Sequence, residues 1–78
     1  MTDDEVKAAV KRALAGVNPA AEELELLPGV NFRDQIELDS MDFVGFVLAL
    51  ERDLGVKIPE TEYLKLSSLN GCVAYFTG

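Results

Sequence analysis

The sequence has 78 residues, of which 49% are hydrophobic, and its 14 acidic and 7 basic residues give a formal net charge of -7. A chain this short forms one hydrophobic core, so we expect a single domain over residues 1–78 without a large enclosed active-site cavity. The negative charge disfavours nucleic acids and anionic membranes as partners and favours proteins with basic surfaces.

The cysteine count and the N-terminus indicate the compartment. Cys72 is the only cysteine, so the chain forms no internal disulfide, and a reducing environment fits best. The acidic N-terminus and the short apolar runs indicate neither a signal peptide nor a membrane span. We therefore expect a cytoplasmic protein, and we expect it to be a monomer.

Residues 2–17 have the pattern of an amphipathic helix. Thr2, followed three residues later by Glu5, is typical of a capping box. The apolar residues that recur at helical spacing on one face are Val6, Ala9, Val10, Ala13, Leu14 and Val17. Gly16, Asn18 and Pro19 predict the end of this helix.

Residues 18–38 show no sustained period and predict a long acidic loop. Pro19 predicts one helical turn, with Asn18 as its cap. We expect five apolar side chains to hold the rest of the loop on the core: Leu24, Leu26, Leu27, Val30 and Phe32. A connection of this length is unusual in a compact domain, so either the loop is functional or its interpretation as a loop is wrong.

A second long helix is predicted over residues 41–54, ending before Gly55. Its inward face is predicted to consist of Phe43, Phe46, Val47, Leu50 and Leu54. Roughly opposite lie Met41, Val44 and Leu48, with Gly45 among them. One small domain packs only one of these faces fully, so the helix has more apolar surface than its own fold needs.

Two further elements complete the predicted fold. Pro59 predicts a brief helical turn that ends at Tyr63 or Leu64. Ser67 and Ser68 offer a cap for a final helix, whose apolar face comprises Leu69, Cys72, Val73 and Phe76. Gly71 is predicted to cost this helix about 1 kcal/mol relative to alanine.

Ser40 is the candidate functional residue, because it stands where the acidic loop meets the most apolar helix. The structural interpretation is a helix cap, in which Asp39 or Ser40 accepts the first free amides and Asp42 lies at the positive end of the helix dipole. A nucleophilic serine needs a neighbouring base, and the sequence has no histidine to serve as one.

Metal and thiol chemistry are not predicted. The acidic residues around Ser40 lack the alternating ligands, central glycine and closing glutamate of an EF-hand; they are Asp34, Glu37, Asp39 and Asp42. Cys72 lies on the apolar face of the last helix, where a cysteine usually acts as a small core residue.

The segment Leu38-Asp39-Ser40-Met41-Asp42, followed by Phe43-Val44 and Val47-Leu48-Ala49-Leu50-Glu51, resembles the attachment segment of bacterial acyl carrier proteins. Ile58-Pro59-Glu60 and Ser67-Ser68-Leu69 extend the likeness over residues 32–76. The resemblance implies an all-α four-helix bundle, with three longer helices, one short helix and a long loop between the first and second helices. It also implies a 4'-phosphopantetheine arm on Ser40, transferred from coenzyme A by a phosphopantetheinyl transferase.

In that family the thiol of the arm holds an acyl group as a thioester, so the resemblance implies a carrier and not an enzyme. Such a carrier moves acyl intermediates between enzymes of fatty-acid, polyketide or related lipid biosynthesis. The implied partners are acyl-transferring, condensing or acyl-activating enzymes with basic docking patches. The residues predicted to dock them are Asp39, Met41, Asp42, Val44, Gly45, Leu48 and Glu51.

Three departures from the family pattern favour a specialised pathway. Met41 replaces the leucine that usually follows the serine. Gly45 and Arg52 stand where carriers of fatty-acid synthesis commonly have glutamates, and both are predicted on the outward face. The alternative function is a small acidic helical module that inhibits an enzyme by masking its basic surface. The Asp39-Ser40 pair separates the two hypotheses, because an inhibitor does not need the hydroxyl.

Overall fold

The computed structural model describes residues 1–78 and consists of helices joined by turns and loops. The elements are α1 (Asp3–Val17), a 3-10 helix (Pro19–Glu22), α2 (Phe32–Gln35), α3 (Ser40–Leu54), a second 3-10 helix (Glu60–Leu66) and α4 (Leu69–Thr77). The predicted all-α fold is confirmed: α1, α3 and α4 are the longer helices, Glu60–Leu66 is the short one, and a long loop follows α1.

The capping box predicted for α1 is present. The Thr2 hydroxyl accepts a hydrogen bond from the Glu5 backbone N–H at 3.2 Å, and the Glu5 carboxylate accepts one from the Thr2 N–H at 3.0 Å. Every residue of the predicted apolar face is buried except Val17, which is half-buried. The helix ends at Asn18, whose N–H donates to the carbonyl oxygen of Leu14.

The core lies between α1, α3 and α4. Phe46, Val47 and Leu50 of α3 are fully buried, as predicted, while Phe43 and Leu54 are half-buried at its margin. On the surface, Arg12 of α1 and Asp53 of α3 form an ion pair at 2.8 Å. Exposed pairs of this kind contribute little stability, so apolar burial is the main force that holds the helices together.

The long loop differs from its prediction in two respects. It contains α2, which the sequence did not predict, and α2 buries Phe32 in edge-to-face contact with Phe46, the ring centroids 5.3 Å apart. Leu24 and Leu27, expected to hold the loop on the core, are exposed. The loop is held here by hydrogen bonds instead, because the Gln35 side chain binds the backbone of Leu27.

Gly45 does not lie on the outward face of α3, so that prediction was wrong. A β-carbon built on Gly45 would stand 3.3 Å from the Cγ1 atom of Val17, at the end of α1. The missing side chain therefore permits a close approach of α3 to α1. A glycine in a helix interior costs about 1 kcal/mol relative to alanine, and here this close packing offsets that cost.

We expect Gly45→Ala to leave the free energy of unfolding unchanged or slightly lowered, because the propensity gain of about 1 kcal/mol is opposed by crowding against Val17. In a Val17→Ala background the same substitution should raise the free energy by about 1 kcal/mol. Urea unfolding of the four proteins in this double-mutant cycle measures the coupling. If the changes in free energy of the two single variants simply add in the double variant, the Val17 side chain does not crowd a β-carbon at position 45.

Gly71 also has a different role from the predicted one. Ser68 caps α4 as expected, its hydroxyl accepting from the Gly71 N–H at 3.1 Å. A β-carbon on Gly71, however, would overlap the backbone carbonyl oxygen of Lys65 in the Glu60–Leu66 helix. This helix is longer than predicted and runs almost directly into α4, so glycine is required where the two elements meet.

Candidate functional site

The start of α3 is held by a capping box that does not involve Ser40. Asp39 is the N-cap residue, and its carboxylate accepts from the Asp42 N–H at 2.7 Å. The Asp42 carboxylate accepts in turn from the Asp39 N–H at 3.3 Å. Of the two capping residues that the sequence allowed, the structure selects Asp39, which satisfies one of the free amides of the first turn.

Ser40 is therefore the first residue inside the helix, and its side chain is not needed by the fold. The residue is exposed, and its hydroxyl forms no hydrogen bond with the rest of the chain. A structural serine at a helix start typically accepts an amide hydrogen bond. Since Asp39 does this, the Ser40 hydroxyl is available to react with a group from outside.

The backbone around Ser40 is firmly placed from both sides. Ile36 and Leu38 precede it and are buried in the core. After it, the Phe43 N–H donates to the Asp39 carbonyl oxygen at 3.0 Å, and the Phe43 ring packs 5.8 Å, between centroids, from that of Phe46. An exposed hydroxyl on a rigid element suits a modifying enzyme that must recognise one position accurately.

An apolar surface begins at the residue after Ser40. Met41, Val44 and Leu48 are exposed along α3, as predicted, and Met41 has 81% of its surface accessible. Asp39 is exposed beside them, and Asp42 is half-exposed. We call these five residues the α3 surface. Exposed apolar side chains with a polar rim are typical of a protein-interaction site.

Glu51 has a structural role that the sequence analysis missed. Its carboxylate accepts a hydrogen bond from the Ile58 backbone N–H at 2.8 Å and thereby holds the loop after α3. Gly55 begins that loop in the left-handed conformation, with φ of 66°. The sequence does show that Glu51 lies one turn before this glycine. The contact with Ile58 could not be predicted, because it depends on the path of the loop in the folded chain.

The sequence contains no histidine, and the carboxylates nearest to Ser40 in sequence are occupied in the capping box. No three potential metal ligands lie close enough together to hold an ion. No helix is both long and apolar enough to cross a membrane.

Cys72 is fully buried on α4, as predicted, with its thiol 3.4 Å from the Leu66 carbonyl oxygen. Burial raises the pKa of this thiol to about 12, because the thiolate would lose its hydration. Only the thiolate is a good nucleophile, so Cys72 is expected to react slowly in the folded chain.

Comparison with known proteins identifies the family. Residues 5–76 match the family described as phosphopantetheine attachment site. The chain belongs to the acyl carrier proteins. It is 35% identical over 66 residues to the acyl carrier protein of Thermosynechococcus vestitus, covering 85% of this chain and 75% of that protein. With the acyl carrier protein of Lactobacillus acidophilus it shares 29% identity over 75 residues, which is 96% of this chain and 92% of the other.

Family membership means that the cofactor is covalent 4'-phosphopantetheine. An exposed hydroxyl with no partner in the chain fits such a group, since esterification breaks no hydrogen bond of the fold. Membership also favours the carrier function over the alternative of an inhibitor that masks a basic enzyme. A carrier presents its cargo to enzymes and supplies no catalyst.

Because Cys72 is buried, the thiol of the arm should be the only fast-reacting thiol of the folded protein. With a pKa of about 12 in place of 9.0, the folded thiol has about a thousandfold less thiolate near neutral pH. The folded apo form should therefore react very slowly with Ellman's reagent. The folded arm-bearing form should show one equivalent of rapidly reacting thiol per chain. In denaturant, each form should show one further equivalent of reactive thiol, which is Cys72. Rapid reaction of the folded apo form would show that Cys72 is accessible.

Proposed function

We propose that Ser40 carries the 4'-phosphopantetheine arm and that this chain shuttles acyl thioesters between enzymes of fatty-acid, polyketide or related lipid biosynthesis. The observation that supports the assignment best is the unengaged, exposed hydroxyl of Ser40 beside an Asp39 that performs the capping. The other serines are less suitable. The Ser67 hydroxyl donates to the Leu64 carbonyl oxygen at 2.7 Å, and the Ser68 hydroxyl caps α4.

The division of chemistry follows from the residues around Ser40. The sequence has no histidine, and the two carboxylates beside Ser40 each accept a hydrogen bond in the capping box, so we expect the modifying transferase to supply the base. When bound, the arm provides a thiol that holds an acyl group as a thioester. The chain itself anchors this arm at the start of α3 and keeps no second reactive thiol nearby, because Cys72 is buried.

The assignment is tested by intact-mass measurement of the apo protein. Incubation with coenzyme A, magnesium and a broad-specificity phosphopantetheinyl transferase should add the mass of one arm. Fragmentation of the product should place that mass on Ser40. If no mass is added by transferases that modify another carrier in parallel, the proposed function is wrong.

We further propose that the α3 surface docks the partner enzymes, with Glu51 at its margin. Apolar contact with Met41, Val44 and Leu48 would hold a partner, and the acidic residues would attract enzymes with basic patches. Gly45 contributes to this surface only by allowing α3 to pack on α1. Arg52 is exposed on α3 and interrupts its acidic character, which supports a specialised pathway over general fatty-acid synthesis.

Docking through α3 predicts that Leu48→Asp in the arm-bearing protein weakens binding to a bacterial ketosynthase by about tenfold, because a charge enters an apolar contact. Ala8→Asp is the matched control, since it adds the same charge at an exposed position of α1. Surface plasmon resonance gives both affinities. If both variants lose the same affinity, the effect is due to net charge, and Leu48 is not part of the docking surface.

A further inference from the structure

A second group of exposed apolar side chains lies outside the α3 surface. In the loop after α1, Leu24 is 38% exposed and Leu27 is 56% exposed. Leu26, between them, is half-buried against the core, so the loop presents two leucines outward while it is anchored by the third. Their α-carbons are at most about 11 Å apart, as three residues of extended chain span no more.

The loop that presents these leucines is held in place by hydrogen bonds. The Gln35 amide oxygen accepts from the Leu27 N–H at 2.8 Å, and the Gln35 amide nitrogen donates to the Leu27 and Val30 carbonyl oxygens, each at 3.0 Å. At the next residue, the Asn70 N–H of α4 donates to the Pro28 carbonyl oxygen, also at 3.0 Å. A surface ordered in this way loses little conformational entropy when a partner binds.

The charges around the leucines indicate the chemistry of the partner. Glu22, Glu23 and Glu25 are exposed, and neither of the chain's two ion pairs involves them. Lys11 and Arg12 of α1 line a surface pocket together with Glu22 and Glu23, but Arg12 is paired with Asp53. The three carboxylates therefore outnumber the one unpaired basic side chain beside them. A second copy of this chain, with its own charge of -7, would be repelled. A protein surface that offers an aliphatic pocket with lysine or arginine around it is complementary in both respects.

We propose that Leu24 and Leu27, with Glu22, Glu23 and Glu25, form a second docking surface, here named the leucine patch, which binds a basic, apolar protein surface. This binding does not need the arm on Ser40. The leucine patch therefore gives the chain a contact with a protein partner that is independent of its acyl cargo.

The probe is a synthetic amphipathic helical peptide with leucine on one face and lysine on the other. It is titrated into the isotopically labelled full chain without the arm, and backbone amide shifts are followed by NMR. The peptide should shift the amides of residues 22–27, and joint replacement Leu24→Ser with Leu27→Ser should weaken that site about tenfold. Leu64→Ser is the matched control, because Leu64 is 85% exposed but lies outside the leucine patch.

Three results would overturn the leucine patch. One is unchanged affinity in the double variant, and another is a set of shifts confined to α3. The third is a concentration-dependent dimer that the double variant abolishes, since the occupant would then be a second copy. The double variant should stay folded with only a slightly lower thermal midpoint, because Leu27 is 56% exposed and Leu24 is 38% exposed. It should still accept the arm at Ser40, so failure here is distinguishable from failure of the proposed carrier function.

Discussion

Ser40→Ala should fold like the wild-type protein and accept no phosphopantetheine arm. The loss of modification is expected to be complete, because in the proposed attachment the Ser40 hydroxyl oxygen forms the ester bond to the arm. Stability should change little, since Asp39 and Asp42 cap α3 and the Ser40 hydroxyl has no partner within the chain. Intact mass after transferase treatment gives the first result, and the thermal midpoint by circular dichroism gives the second.

Ser68→Ala is the matched control for this prediction. It also removes one serine hydroxyl at a helix start, but this hydroxyl caps α4. The control should lose about 1 kcal/mol of stability and keep full modification, the reverse of the result for Ser40→Ala. Arm addition to the Ser40→Ala protein would place the attachment elsewhere. A large loss of stability in that variant would show that Ser40 has a structural role after all.

Gly71→Ala should lower the free energy of unfolding by about 2 kcal/mol, although it replaces a glycine inside a helix. The added methyl group would overlap the Lys65 carbonyl oxygen and stand 3.2 Å from the Ser68 hydroxyl that caps α4. Backbone atoms cannot move aside as a side chain can, so the Glu60–Leu66 helix and α4 must separate. This steric cost exceeds the helix-propensity gain of about 1 kcal/mol.

Gly16→Ala is the control for propensity alone, because nothing lies within 4 Å of a β-carbon built at Gly16 in α1. It should raise the free energy of unfolding by up to about 1 kcal/mol. Urea unfolding of the two variants should therefore give changes of opposite sign. A gain in stability for Gly71→Ala would show that the junction before α4 is looser than the structure indicates.

Local pattern in the sequence determined the three longer helices, α1, α3 and α4, and the candidate serine. The capping box at Thr2, the apolar period of α1 and the Leu54-Gly55 stop depend on residues within a few positions of each other, so they can be read without the fold. The same holds for Ser40 and for the exposed face of Met41, Val44 and Leu48, because helix geometry fixes which side chains share a face.

Only the tertiary structure decided the roles that depend on distant segments. Gly45 and Gly71 have the same local signature as a destabilising helix glycine, but each is placed against an element that its sequence neighbours do not reveal. The exposure of Leu24 and Leu27 likewise could not be predicted from the local pattern. The loop at Leu27 is held by the side chain of Gln35, which lies eight residues further along the chain. The physical reason is that the spacing of apolar residues determines only which face of its own helix a side chain occupies. The distances between elements depend on how those elements pack together.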